Sequence, residues 1–149
     1  MNLFFRSSLL ALAWFTPVAS TWATTEPMWL SIVGEAQNAT ADTVEVDASS
    51  AVAFESMRLI KLRVNRAKPR PGFDGLPYQS YYSTAIVDCT ALKAWHRTIS
   101  LFERPLWRGQ MRIREYTETD GHGVTFSEME PNPRDRLIKA ACAITLRGS

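Results

Sequence analysis

Two cysteines, Cys89 and Cys142, and two histidines, His96 and His122, are all that this chain of 149 residues contains of either type. Neither histidine stands at ligand spacing from a cysteine or from the other, which argues against a zinc cluster. No serine lies in a G-x-S-x-G setting, so the strained turn that presents a hydrolase nucleophile is missing. The nearest approach to a carboxylate cluster, Glu118, Asp120, Glu128 and Glu130, reads as a solvated acidic edge rather than as a paired acid and base. An excess of charge is also lacking: 17 basic residues face 15 acidic ones. Such a balance advertises neither nucleic acid nor an anionic membrane as a partner. Catalysis, a bound metal and a cofactor are therefore not expected.

One apolar run does stand out, and it lies at the start. The order MNLFFR, then SSLLALAWF, then the small residues of PVASTWATTEP is that of a secretory signal peptide, and it is too short to span a bilayer. Cleavage after Ala23 is expected, with Ser20 as the second choice. No cysteine lies near either point, so a lipid anchor is not expected. Residues 24–149 then form a single exported domain of 126 residues, periplasmic or secreted, in a compartment that permits disulfides.

Within that domain apolar residues recur mostly at every second position, the period of a strand with one buried face. Met28–Glu35, Thr43–Asp47 and Ser56–Asn65 show it first, and in the last of these Ile60, Leu62 and Val64 share a face. Ala67–Pro77 interrupts with three prolines and two glycines and reads as a loop. The alternation resumes in Tyr78–Cys89, in Trp95–Leu101 and in Gln110–Thr117. Thr119–Gly123 has the composition of a tight hairpin turn before the short run Val124–Met129. Short connections without helical crossovers imply an antiparallel sheet.

The C-terminus changes period. Ile138, Ala141 and Cys142 fall at i, i+3 and i+4 in RDRLIKAACA, one face of a short helix, with Asn132 placed to cap it and Pro133 at its first position. A bridge between Cys89 and Cys142 would clip that helix to the sheet. The compartment and the even cysteine count favour a structural disulfide over a metal pair or a catalytic thiol, neither of which has the further partners it needs.

Trp29 near the mature start, two valine-rich early strands, YYSTAIVDC with its Tyr-x-Ser leading to a cysteine, aromatic strands and finally PNPRDRLIKAAC together resemble the surface-adhesin protein E family across nearly the whole mature chain. The resemblance implies an α+β fold, a curved antiparallel β-sheet of about six strands with a C-terminal α-helix tethered to its concave face by the disulfide. It also implies non-enzymatic binding of extracellular-matrix or serum proteins such as laminin, vitronectin and plasminogen. An envelope structural or assembly protein without a host ligand is the alternative, and a homodimer stays open.

The feature of the residues themselves that could meet such a partner is a basic stretch. Arg58, Lys61, Arg63, Arg66, Lys68 and Arg70 run without an acidic residue until Asp74. Lys61 and Arg63 should share a strand face, and the proline-rich loop should hold Arg66, Lys68 and Arg70 outward. A solubilising face is the plain account of such a run. The functional one is a docking patch of Lys61, Arg63, Arg66, Lys68 and Arg70 for a sulfated glycan or an acidic protein surface, with Tyr78, Tyr81 and Tyr82 nearby to add contact area.

Overall fold

A computed structural model describes residues 26–145. Six strands follow one another in a meander: β1 Trp29–Val33, β2 Thr43–Phe54, β3 Met57–Pro71, β4 Pro77–Asp88, β5 Lys93–Arg104 and β6 Arg108–Glu115. Each pairs antiparallel with its neighbours in chain order, β1-β2-β3-β4-β5-β6, giving an open sheet. A 3₁₀ turn at Glu118–Asp120 and the helix α1, Arg134–Ala143, complete the chain. The expected α+β architecture is therefore present. The signal-peptide reading, residues 1–23, lies outside the described residues.

The alternation assigns the two faces. Val44 and Val46 on β2, Ile60, Leu62 and Val64 on β3, Ala85 and Val87 on β4, and Ala94, Ile99 and Leu101 on β5 form one buried layer. α1 closes it with Leu137, Ile138 and Ala141, while Tyr116, Val124, Phe126 and Met129 cover the rest. Burying a leucine or isoleucine side chain contributes on the order of 1.5–3 kcal/mol, which a helix this short needs because it is marginal by itself. Cys142 in its last turn is joined to Cys89, just beyond β4, with the Cα atoms 5.7 Å apart.

Three local expectations are corrected. β3 does not stop before the prolines: it runs to Pro71, and the regular pairing with β4 lapses between Asn65 and Arg70. Pro69, which has no N–H to donate, falls within that lapse, so it removes no ladder bond. The turn shrinks to Gly72–Leu76, closed by Gly72 N–H on the Leu76 carbonyl at 2.8 Å. Thr119–Gly123 is not a hairpin turn either. Its residues form a 3₁₀ turn and a single bridge from Gly123 to Trp95, and Val124 and Phe126 alternate because they are packed over the sheet, not because they pair in it. Finally, Pro133 rather than Asn132 is the cap residue of α1, although Asn132 Oδ1 still accepts the Arg134 N–H at 3.0 Å.

Candidate functional site

The face of the sheet turned away from α1 carries the polar half of the alternation, and strand register fixes its rows. Trp29 pairs with Asp47, Asp47 with Lys61, Lys61 with Thr84, Thr84 with Thr98 and Thr98 with Glu115. The adjacent row runs Ser31, Glu45, Arg63, Tyr82, Ser100 and Ile113. The next contains Thr43, Asn65, Ser80, Phe102 and Met111. Met111 and Ile113 on the outer strand are half exposed.

At the centre of this face lies a buried ion pair. Arg63 Nε donates to Glu45 Oε2 at 2.8 Å and Nη2 to Oε1 at 2.9 Å, a bidentate pair whose side chains are 11% and 2% exposed. The guanidinium is stacked between Trp29 and Trp107, 4.2 and 4.4 Å from the ring centroids. The delocalised, weakly hydrated charge of arginine suits such a sandwich better than an ammonium would. Tyr82 joins the cluster, its ring 5.3 Å from Trp107, 5.8 Å from Phe102 and 6.1 Å from Trp29.

Trp107 reaches this position from the β5–β6 turn, where Leu106 and Trp107 both adopt positive φ, 54° and 58°. Non-glycine residues resist that region, so bonds must hold it. Ser80 Oγ accepts the Trp107 N–H at 2.9 Å and donates to the Arg104 carbonyl at 2.6 Å. Asn65 Oδ1 accepts the Leu106 N–H at 2.9 Å, while its Nδ2 donates to the Ala41 carbonyl at 2.8 Å. The short polar residues inside β3 and β4 thus build the far wall of the aromatic cluster.

Beside the cluster a groove of about 400 Å³ opens, lined by Pro27, Trp29, Asp47, Lys61, Tyr82, Ser83, Thr84, Thr98 and Ser100. Asp47 is buried, and Met28 N–H, Ser49 N–H and Ser49 Oγ–H all bond its Oδ1, at 2.9, 3.0 and 2.5 Å. That leaves Oδ2 without a partner among the described residues.

The five basic residues singled out from sequence are divided by this arrangement. Lys61 and Arg63 do share the open face, Lys61 exposed and Arg63 withdrawn into its pair. Arg66 is 4% exposed: its guanidinium meets Asp42 at 3.4 Å and donates to the Ser127 carbonyl at 2.8 Å, so the expectation that it is held outward is corrected. Arg70 forms an ion pair with Glu128, and Lys68 is exposed. The acidic partners stand about 18 to 58 positions away in the chain, where no local reading of charge could find them.

Sequence reasoning also missed a serine–histidine contact. Ser83 Oγ and His96 Nδ1 are 2.6 Å apart, both residues buried, with the Tyr81 ring edge-on to the imidazole and His122 stacked on Tyr116 at 4.5 Å. Burial first, and next the charge of His122, push the His96 pKa down to about 3. A groove of about 350 Å³ beside the β5 bulge touches His96, Arg97 and Glu115, whereas Ser83 lines the groove beside Trp29. A nucleophile and base so placed also work with a third group that orients the base. Among the described residues no cluster of three or more metal-ligating side chains occurs.

A family model, Surface-adhesin protein E, matches residues 29–143, the whole span from β1 to the end of α1. The chain belongs to this family. Membership points to a surface adhesin, an exported or surface protein whose work is binding. No curated protein matches it. Among the described residues no helix is long and apolar enough to cross a membrane.

Proposed function

We propose that this protein is an exported, non-enzymatic binding module that docks an extracellular-matrix protein, a serum protein or an anionic glycan. The observation that carries the reading is the open sheet face, where an aromatic cluster flanked by Lys61 is left uncovered by α1. Aromatic residues and a cationic rim are the composition of recognition surfaces. Of the five basic residues, the exposed Lys61 and Lys68 supply charge to the partner, whereas the charge of Arg70 is balanced by Glu128. Arg63 and Arg66 act from beneath: Arg63 spaces Trp29 and Trp107, and Arg66 ties β3 to the segment at Ser127.

Binding to immobilised heparin and to vitronectin at two salt concentrations tests the proposal, comparing the wild type with Lys61→Ser, Lys68→Ser and Arg70→Ser combined. The expected result is wild-type binding that weakens with salt, because exposed charges are screened over about 8–10 Å, and a loss in the variant. Equal binding with equal salt dependence removes these side chains from the docking site. Absence of binding to either, with an envelope protein co-purifying, supports the alternative of a cell-envelope assembly role. Export with cleavage after Ala23 and without a lipid anchor belongs to the same proposal. N-terminal sequencing should begin at Thr24, or at Thr21, and Met1 retained on exported protein rejects it. Sedimentation at micromolar concentration distinguishes a monomer from a homodimer.

A further inference from the structure

The groove beside Trp29 differs chemically from the apolar cluster next to it. Its floor is the register row Asp47, Lys61, Thr84 and Thr98, which offers a carboxylate, an ammonium and two hydroxyls across four strands. The carboxylate keeps one oxygen, Oδ2, unengaged among the described residues although the residue is 4% exposed. Trp29 stands at one end and Tyr82 alongside. Arg63 stacks on Trp29, so the indole is held in place.

Three classes of occupant can be compared. An apolar molecule would cut Asp47 Oδ2 and the threonine hydroxyls off from water without giving them partners, an unfavourable exchange. An extended peptide added as a strand needs an unpaired sheet edge, and the groove floor lies on β2, β3, β4 and β5, all interior to the sheet. A pyranose ring satisfies both parts of the lining. Its C–H face packs on an aromatic ring, and neighbouring hydroxyls can donate to a carboxylate while accepting from an ammonium or a threonine. We propose that this groove binds one pyranose unit of a glycan, stacked on Trp29, with Asp47 accepting from one hydroxyl and Lys61 donating to its neighbour. The volume, about 400 Å³, is within the range of small-molecule sites. The proposal rests on the binding role above in one respect, that the open face is the docking face.

The test is ¹H–¹⁵N NMR titration of the folded protein with the methyl glycosides of glucose, galactose, mannose and N-acetylglucosamine, each to about 50 mM. At least one should shift the Trp29 indole and the Lys61, Thr84 and Thr98 amides in a saturable manner. Trp29→Ala should abolish the shifts. Because that change also uncovers Arg63, Lys61→Ser and Thr98→Val serve as milder variants, each expected to weaken binding about fivefold while the spectrum stays folded. No saturable shift with any of the four sugars, or shifts that persist unchanged in Lys61→Ser and Thr98→Val, overturns the site. Heparin and vitronectin binding, read in the Lys68→Ser and Arg70→Ser background, reports separately on the docking face, so failure of the sugar site and failure of the binding role are distinguishable.

Discussion

Changing Glu45 to glutamine should destabilise this protein more than any surface substitution, because it leaves the Arg63 guanidinium buried without its carboxylate. Removing one partner of a buried ion pair costs about 3–5 kcal/mol. Arg63 is 11% exposed and keeps its two stacked indoles, each contributing roughly 0.5–2 kcal/mol, so the lower end, about 3 kcal/mol, is expected. Arg63→Met should cost more, about 4 kcal/mol, since it strands a carboxylate that is 2% exposed and empties the space between Trp29 and Trp107. The double variant Glu45→Gln, Arg63→Met leaves no unpaired charge, so its cost should fall about 3 kcal/mol short of the sum of the single changes. Urea unfolding at pH 7.5, followed by tryptophan fluorescence and by far-ultraviolet circular dichroism, measures all three. Raising the salt concentration should not rescue the single variants, since buried charges are poorly screened. Additive single and double variants, within about 0.5 kcal/mol, would refute the reasoning and place the pair in contact with solvent.

Native protein should show no free thiol, and Cys142→Ala should lose up to about 4 kcal/mol, the loop-entropy value for the 53-residue separation, while most strand signal survives; two reactive thiols would reject the bridge. His96 sets an acid limit. Its folded pKa, about 3, lies below the ordinary 6.5, so between these values the unfolded chain holds a proton that the folded protein does not, and stability falls as pH falls. At pH 4.5 the loss from this group should be on the order of 2–3 kcal/mol relative to pH 8, and His96→Gln should flatten that part of a stability-against-pH curve; an unchanged slope would sink the assignment. Ser80→Ala removes two of the three side-chain bonds described for the β5–β6 turn and should cost about 1–3 kcal/mol, with a red shift of tryptophan emission as Trp107 is released; unchanged emission would show that the turn needs no such support.

The sequence by itself determined what depends on neighbours along the chain. Ile60, Leu62 and Val64 announce a strand with one buried face because the pleat repeats every two residues, and Ile138 and Ala141 announce a helix because its surface repeats every three to four. The pairing of Cys89 with Cys142 was equally accessible, there being two cysteines and so one intramolecular partner for each. What tertiary structure decided is everything set by register between strands distant in sequence. Arg63 looks like its neighbours Lys61 and Arg66 in a basic run, yet pairing of β2 with β3 sets it opposite Glu45, and the β1 and β5–β6 ends bring two tryptophans onto it. The same register gathers Asp47, Lys61, Thr84 and Thr98 into one row, although no pair of them is near enough in sequence to suggest a site. Val124 and Phe126 alternate like a strand but lie over the sheet, since alternation reports burial on one side and not the presence of a hydrogen-bonded neighbour. Charge and period are local properties, whereas the partner of a charge is fixed only when the sheet closes around it.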